Sequence, residues 1–419
     1  MRKNNQINIW ITNLKKKFFL KVKLVKFSQL DQWNINDKKI YHKNKSFFQI
    51  VPFIIKTNFG NIRSWSQPLI VQKEVGILGI IKRNNKYLLQ AKLEPGNINK
   101  IQLSPTVQAT KSNYLRKHGG KKTLYLKFFK TNYKKIKLLS KVKLSEQGSR
   151  YLNKLNYNIL IESNKKVKKY NNFIWVDKKN LSFLIKKKNL LNMDTISILA
   201  SVIKKNSKNY PVNTFKIIIN KLNKFNNKYF LEIKRINFEE LKLWKKTDKY
   251  ISDIKKIFFS VIGVKISSNA REVKNWSQPI ISDHSLAING YLVKKIDNTY
   301  NYLLQIVIEP GFKYPKFTST VCIKNFKKNN INLKKNPYVK LLFNKQNSIY
   351  DITHSDEGGR FYNNQSRNII KTIKDTKNLK LKDNFVWVSH NQIVDLIKKN
   401  LLTIEARNLF ACFNIDNIK

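Results

Sequence analysis

The segment SPTVQATKSNY, from Ser104 to Tyr114, is rich in side chains that exchange protons or donate hydrogen bonds. His118 follows four residues after Tyr114 and directly precedes two glycines. A phenol and an imidazole are suited to proton transfer. Hydroxyl and amide groups stabilise an oxyanion by donating hydrogen bonds to it, and the segment supplies Thr106, Gln108, Thr110, Ser112 and Asn113. This pattern predicts proton transfer beside a bound polar ligand.

Both proton-transfer candidates also have a structural interpretation. Beside Gly119 and Gly120, His118 is equally typical of a surface loop. Tyr114 is equally typical of a half-buried aromatic residue in a strand. The residue types alone leave both alternatives open.

The chain repeats itself at a spacing near 211 residues. RSWSQPLI from Arg63 matches KNWSQPII from Lys274, and YLLQAKLEPG from Tyr87 matches YLLQIVIEPG from Tyr302. Further matches pair SEQGSRY with SDEGGRF and NFIWV with NFVWV, in the same order. The sequence therefore predicts two copies of one unit, residues 27–205 and 237–419, with an N-terminal extension (1–26) and a connector (206–236).

Each copy predicts an α+β unit. Tyr87, Leu89, Ala91 and Leu93 alternate with a period of two, which indicates a strand of a hairpin. The stretch from residue 176 to 203 indicates two short helices separated near Asn189. We expect an antiparallel sheet flanked by helices in each copy.

The two copies differ where the polar segment lies. Glu94, Thr106 and their counterparts Glu309 and Thr320 are present in both, so we interpret Glu94 as a structural residue of its turn. Residues present only in the first copy are replaced as follows: Gln108 by Cys322, Thr110 by Lys324 and Tyr114 by Phe326, while His118 is lost. This difference predicts that the first copy holds the working site and that the second is degenerate.

Composition excludes several classes of protein. The chain has 419 residues and a formal charge of +58, but only ten of its 83 basic residues are arginine. Lysine is spread along the chain with Asn and Ile, so we interpret the charge as compositional drift and do not expect nucleic-acid binding. Two cysteines exclude a disulfide scaffold, and no apolar run is long enough to span a bilayer. We therefore expect a cytoplasmic protein with no metal site and no dinucleotide fingerprint.

WSQP, EPG, SPTVQATKSNY with the following His-Gly-Gly, and SEQGSRY, all within a duplicated chain, resemble the NDP-hexose 2,3-dehydratases of deoxysugar biosynthesis. The resemblance implies two tandem Nudix-like domains, a homodimer and dTDP-4-keto-6-deoxyglucose as substrate. It also implies a lyase that needs no cofactor and a downstream NADPH-dependent 3-ketoreductase. The alternative is a catalytically inactive protein that binds a nucleotide sugar or another polyanion.

Under this resemblance, Tyr114 and His118 are the predicted catalytic residues. The predicted substrate-binding residues are Trp65, Gln67, Thr106, Gln108, Thr110, Ser112, Asn113 and Arg150. The predicted second pocket contains Trp276, Gln278, Thr320 and Arg360. Two alternatives stay open: the duplicated arginines either bind a diphosphate or hold a carboxylate, and the duplicated tryptophans either stack on a base or pack in a core.

Overall fold

Helices and strands alternate along the chain in two similar series. The computed structural model describes residues 2–130, 136–325, 335–344, 348–373 and 379–418. Phe326, the counterpart of Tyr114, lies outside the described residues. None of the described helices is long and apolar enough to cross a membrane.

The first series contains α1 (Arg2–Lys17), β1 (Leu20–Val25), β2 (Trp33–Ile35), β3 (Ile40–His42), β4 (Gln49–Thr57), β5 (Ser64–Val71), β6 (Gly76–Arg83), β7 (Lys86–Leu93), β8 (Ile101–Ser104), β9 (Val107–Ala109), α2 (Lys111–Tyr114), β10 (Ile136–Ser145), β11 (Tyr151–Leu152), β12 (Leu155–Ser163), β13 (Phe173–Asp177), α3 (Lys178–Leu184) and α4 (Met193–Ala200).

The second series contains α5 (Phe215–Lys228), β14 (Leu231–Arg235), β15 (Trp244–Lys246), β16 (Tyr250–Asp253), β17 (Phe259–Ser268), β18 (Asn275–Asp283), β19 (Ala287–Ile296), β20 (Thr299–Val307), β21 (Lys316–Ser319), β22 (Val321–Ile323), α6 (Pro337–Phe343), β23 (Ser348–Ser355), β24 (Gln365–Thr372), β25 (Phe385–Ser389), α7 (His390–Lys398) and α8 (Ile404–Phe413).

The described strands form a small and a large sheet in each half. The first half's large sheet has the order β10-β12-β6-β7-β13, with β8 beside β7 and β9 beside β6. The second half repeats this arrangement as β23-β24-β19-β20, with β21 and β25 both beside β20 and β22 beside β19. In each large sheet one central pair is parallel, β6 with β12 and β19 with β24. The α+β class and the duplicated architecture are thus confirmed, although the sheets are mixed rather than purely antiparallel.

The predicted alternation in β7 decides which core each side chain enters. Tyr87, Leu89, Ala91 and Leu93 lie in the largest apolar cluster, whereas Leu88 points to a separate cluster on the other face. The sheet is therefore buried on both faces, which the alternating pattern alone did not require. The largest cluster also contains Leu304 from β20 and residues of α4 and α8, so the two halves share one core.

The helix pair after β13 forms as predicted. The Asp177 side chain accepts a hydrogen bond of 2.8 Å from the Asn180 backbone N–H and caps α3. Asn192 caps α4 in the same way through the Asp194 N–H, at 2.8 Å. Asn189 lies between the two helices with a positive φ of 55°, a conformation that asparagine tolerates better than most residues.

The two halves exchange one strand with each other. β1, which precedes the first half's small sheet, pairs with β17 of the second half, from Leu20 opposite Ser268 to Val25 opposite Gly263. β14, which precedes the second half's small sheet, pairs with β4 of the first half, beginning at Leu231 opposite Thr57. The predicted extension and connector therefore contain equivalent helix–strand units, and the boundaries at residues 27 and 237 stay predictions.

Candidate active site

A cavity of about 560 Å³ lies where the first half's large sheet meets strands β17 and β18 and loops of the second half. Its lining includes polar residues of the first half, which are Gln72, Lys92, Glu94, Gln108, Thr110, Asn113, His118, Glu146, Lys154 and Asp194. It also includes polar residues of the second half, which are Arg271, Glu272, Trp276, Gln278, Glu357 and Arg360. Both halves therefore build one cavity.

This placement redistributes the predicted residues. Seven of them share the cavity, namely Gln108, Thr110, Asn113, His118, Trp276, Gln278 and Arg360. The last three were assigned by sequence to a second pocket, yet they face the polar segment of the first copy. The remaining seven are not part of this lining, namely Trp65, Gln67, Thr106, Ser112, Tyr114, Arg150 and Thr320.

Thr106 and Thr320 connect strands within their own sheets. The Thr106 hydroxyl donates to the Leu88 carbonyl and accepts a hydrogen bond of 3.0 Å from the Ile81 N–H. The Thr320 hydroxyl does the same with Leu303 and, at 2.9 Å, Leu292. Both side chains are buried. Their presence in both copies is explained by this structural role.

Ser112 and Tyr114 are directed away from the cavity. The Ser112 hydroxyl donates to Glu74 at 2.8 Å and its backbone N–H donates to the same carboxylate at 3.0 Å. Tyr114 packs against the apolar cluster behind the large sheet, and the Lys130 ammonium lies 4.6 Å from its ring centroid. Tyr114 is thus a partly buried aromatic residue, as in the structural alternative, but it lies at the end of helix α2 and not in a strand.

The duplicated Trp-x-Gln motifs connect a strand to a turn. In the first half Trp65 Nε1 donates to Gln67 at 3.0 Å, and Gln67 donates to the Ser149 carbonyl at 2.9 Å. In the second half Trp276 Nε1 donates to Gln278 at 3.1 Å, and Gln278 donates to the Gly359 carbonyl at 2.7 Å. The second motif therefore fixes the turn that carries Arg360 into the cavity.

The two duplicated arginines have different electrostatic surroundings. Arg150 forms a buried ion pair of 2.9 Å with Asp283 and lies over the Phe259 ring. Arg360 lies over the Phe48 ring in the same way, at 4.1 Å. The counterpart of Asp283 is Gln72, and among the described residues Arg360 has no ion-pair partner. Arg360 is therefore free to bind an anion in the cavity.

Glu94 is an ionised carboxylate in the wall of the cavity. Burial by itself raises the Glu94 pKa, but Lys92 at 2.9 Å and Arg271 at 3.6 Å outweigh it, and the pKa is lowered. Both cations contact Oε1, whereas Oε2 is buried without a hydrogen-bond partner in the described structure. The Oε2 atom thus presents an unshared lone pair, which is what a general base requires.

The pKa values of two other carboxyl groups in the cavity are shifted upward. Burial and the charge of Glu94 raise the Glu357 pKa to about 7. Burial, together with Glu146 and Glu357, raises the Asp194 pKa well above its usual value. One cavity therefore combines an ionised carboxylate with carboxyl groups that hold a proton, a division that suits acid–base catalysis.

His118 serves as a hydrogen-bond donor in this geometry. Its Nδ1 accepts a hydrogen bond of 2.8 Å from the Gly120 N–H, so the proton of the neutral ring is on Nε2. Burial lowers the His118 pKa and favours this neutral form. The neutral ring can donate from Nε2 but cannot accept a proton there.

The equivalent position in the second half is occupied by a lysine. Lys324, the counterpart of Thr110, forms an ion pair with Glu405 and lies 3.9 Å from Glu309. Glu405 and Glu309 are the counterparts of Asp194 and Glu94. The lysine therefore neutralises the carboxyl cluster that, in the first half, lines the open cavity.

Replacing Lys324 by methionine should destabilise the fold by about 3–5 kcal/mol, because the buried Glu405 loses its cation. The free energy of urea unfolding measures this effect. Lys205→Met is the control, since Lys205 pairs with Asp395 at the surface and such pairs contribute about 1 kcal/mol or less. Equal effects of the two substitutions would contradict a structural role for Lys324.

Sequence reasoning missed Lys92, Arg271 and Glu357, and it interpreted Glu94 as structural. It searched for chemistry within one copy, whereas Arg271 and Glu357 belong to the second copy and serve the first copy's cavity. Comparison of the two copies did contain a signal. Lys92 and Arg271 are each present in one copy only, and the equivalent positions in the other copy are Val307 and Gly60.

Comparisons with known proteins identify the family of the chain. The family model described as NDP-hexose 2,3-dehydratase matches residues 4–202 and, a second time, residues 216–413. The chain belongs to this family, as the resemblance predicted. It is therefore a dehydratase, a class of carbon–oxygen lyase.

Three relatives have the printed name dTDP-4-dehydro-6-deoxy-alpha-D-glucopyranose 2,3-dehydratase. The protein from Saccharopolyspora spinosa is 29% identical over 92% of this chain and 86% of its own length. The one from Amycolatopsis orientalis is 28% identical over 98% and 90%, respectively. The one from Streptomyces violaceoruber is 28% identical over 89% and 88%.

Proposed function

We propose that this chain removes the C2 hydroxyl of dTDP-4-keto-6-deoxyglucose as water and yields a 3,4-diketo-2,6-dideoxy sugar nucleotide. One observation supports this most strongly: Glu94 is ionised while Glu357 and Asp194 favour their protonated forms, in one cavity that also holds a free arginine. The names of the three relatives supply the substrate.

The reaction begins with proton removal at C3, which the neighbouring 4-keto group makes acidic. Glu94 Oε2 is the proposed base, because Oε1 is held by Lys92 and Arg271. The electron pair of the C3–H bond moves into an enolate whose oxygen carries negative charge. His118 Nε2–H and the side-chain amides of Gln108 and Asn113 line the same cavity and are the proposed donors to that oxygen.

The C2 hydroxyl leaves as water when it receives a proton from an acid. Glu357 is the proposed acid, since its pKa of about 7 keeps part of the population protonated at neutral pH. Gln108 donates to Glu357 Oε1 at 3.3 Å and orients the carboxyl group. As the C2–O bond breaks, the enolate electrons re-form the C4 carbonyl and a C2=C3 double bond. The resulting enol gains a proton at C2 and loses the proton of its C3 hydroxyl, which gives the 3-keto product, so the net change is the loss of one water molecule.

Arg360 and Trp276 are the proposed nucleotide-binding residues. The Arg360 guanidinium offers paired N–H donors to a diphosphate. Trp276 lies in the lining of the same cavity, fixed through Gln278 to the turn that carries Arg360. A thymine stacked on the indole would place the diphosphate beside Arg360. Tyr114, predicted as catalytic from sequence, has no step in this scheme because it packs behind the sheet.

The pH dependence follows from these protonation states. Glu357 must be protonated, so kcat/KM should fall as the pH rises through about 7. Glu94 must be ionised, and because its pKa is lowered by the nearby cations the acidic limb should appear only below the usual titration range of a glutamate. Rates measured from pH 4 to 9 test both limbs. Glu357→Gln should abolish the alkaline limb, and a limb retained in this variant would contradict the assignment of the acid.

Turnover decides between catalysis and binding. The protein is incubated with dTDP-4-keto-6-deoxyglucose, and the unstable diketo product is trapped with a 3-ketoreductase. Appearance of a C2-deoxygenated sugar is the expected result. Ligand binding without any deoxygenated product would favour the inactive nucleotide-sugar binder, and steeply salt-dependent retention on duplex DNA would favour a polyanion binder.

The remaining expectations belong to this proposal. Each half is proposed to be Nudix-like, which is supported by a mixed sheet with helices packed on it. A homodimer and a downstream NADPH-dependent 3-ketoreductase stay predictions of the family resemblance, and a cytoplasmic location stays a prediction from the composition of the sequence. The ketoreductase fits the chemistry, since a 3,4-diketo sugar is reactive and is consumed by reduction at C3.

A further inference from the structure

We infer that Asn269, by binding the segment just before β1, positions Arg271 against Glu94 and so makes residues 17–19 part of the active-site support. Residues 17–19 precede the first copy in the sequence, and they are also distant in sequence from the polar segment (residues 104–114). The inference rests on the proposed function only in taking Glu94 as the base.

The contact between Asn269 and the N-terminal segment uses both ends of the amide. The Asn269 Nδ2 group donates to the Lys17 carbonyl at 3.1 Å, and Oδ1 accepts from the Phe19 N–H at 2.9 Å. Ser268 extends the contact, because its hydroxyl donates to the Phe19 carbonyl at 3.0 Å and accepts from the Ala270 N–H at 3.1 Å. The loop is therefore fixed through Ser268 and Asn269, three and two residues before Arg271.

The other end of this loop contacts the cavity wall. Arg271 Nη1 donates to the Leu93 carbonyl at 3.2 Å and lies 3.6 Å from Glu94. The Glu272 carbonyl accepts from the Lys121 N–H at 3.1 Å, which holds the loop beside the His118 segment. Because the loop is fixed at both ends, its backbone holds Arg271 in place and limits the positions that the guanidinium can reach.

The first half contains the same contact with a different outcome. Asn58 Nδ2 donates to the Lys228 carbonyl at 3.1 Å, and its Oδ1 accepts from the Phe230 N–H at 2.9 Å. Thr57 takes the role of Ser268, donating to the Phe230 carbonyl at 2.7 Å and accepting from the Phe59 N–H at 3.1 Å. The residue equivalent to Arg271 in this loop is Gly60, so the loop has no cation at that position. Asn58 is thus a matched control for Asn269.

The charges facing Glu94 determine what loosening of the loop does. Lys92, Arg271 and Arg360 lower the Glu94 pKa, while Asp194 and Glu357 lie in the same cavity as titratable neighbours. Moving Arg271 away removes one of three cations, so the Glu94 pKa rises. The acidic limb of kcat/KM then moves to higher pH.

The test compares Asn269→Ala with Asn58→Ala in the full chain. Both variants lose two equivalent hydrogen bonds, so we expect similar losses of stability in urea unfolding. Only Asn269→Ala should shift the acidic limb upward, by about one pH unit, and lower kcat about tenfold. In the Arg271→Ala background, Asn269→Ala should add no further shift. Equal pH profiles for the two asparagine variants, or additive shifts with Arg271→Ala, would overturn the inference.

A second readout separates this inference from the proposed function. The Glu94 titration is followed directly by NMR of the ¹³C-glutamate-labelled protein and is assigned by its loss in Glu94→Gln. If the Glu94 titration moves to higher pH in Asn269→Ala but the unsubstituted protein does not turn over the sugar nucleotide, the positioning role stands and the proposed function is wrong. If the unsubstituted protein turns over the sugar nucleotide but the Glu94 titration does not move in Asn269→Ala, the proposed function stands and the positioning role is wrong.

Discussion

Glu94→Gln should reduce kcat by about 10²–10⁴-fold, the range expected when a general base is removed. Glutamine keeps the size of the side chain but has no carboxylate lone pair to take the C3 proton. Binding of the substrate should persist, because Arg360 and Trp276, the residues proposed to bind the diphosphate and the thymine, are unchanged. Single-turnover kinetics together with a separate measurement of dTDP binding distinguish the two effects.

Glu309→Gln is the matched control for this prediction. Glu309 occupies the same turn of the second half, where burial raises its pKa to about 7 and Lys324 lies close by. Its replacement should leave kcat unchanged. A loss of activity as large as that of Glu94→Gln would show that the EPG turn acts through the fold and would remove Glu94 from the mechanism.

Arg360→Met should raise KM about 10- to 150-fold, the equivalent of one charge-assisted hydrogen-bond interaction of about 1.5–3 kcal/mol. Methionine retains an apolar stem over Phe48, so the turn itself should survive. Arg150→Met should behave in the opposite way. It leaves Asp283 buried without a partner, which costs about 3–5 kcal/mol of stability, and KM should not change.

Gln72→Asp provides an independent check on Arg360. This substitution recreates in the first half the acidic partner that Asp283 supplies to Arg150. The new carboxylate should pair with Arg360 and raise KM while the protein stays folded. If Gln72→Asp left KM unchanged and Arg360→Met raised it, the arginine would bind substrate from a position that residue 72 does not reach.

Local patterns were sufficient to predict the local parts of the fold. Alternation in β7 and the helix break at Asn189 depend on neighbours within a few residues, and both are observed. The polar segment also supplied cavity residues, among them Gln108 and Asn113, and His118 just after the segment lines the cavity too. These features are determined by short-range periodicity and side-chain chemistry.

The arrangement of the site depends on long-range contacts that no local pattern encodes. The comparison of the two copies assigned each residue to a site in its own half. Arg360 was therefore predicted in a second pocket. The strand exchange brings β17 and β18 of the second half to the first half's cavity. The proposed role of Glu94 was missed for a related reason, because one of the two cations that contact it, Arg271, is 177 positions away along the chain.

Because its two similar halves exchange strands, the chain resembles a strand-exchanged dimer whose two subunits are covalently joined. In a dimer of identical subunits, any substitution would appear at both cavities together. In a single chain the two halves can differ, and here Lys324 pairs with Glu405 at the position where the first half has Thr110 in its cavity lining. The second half nevertheless supplies Arg271, Glu357 and Arg360 to that cavity, so we expect both halves to be required. Separately expressed halves should regain function only when combined.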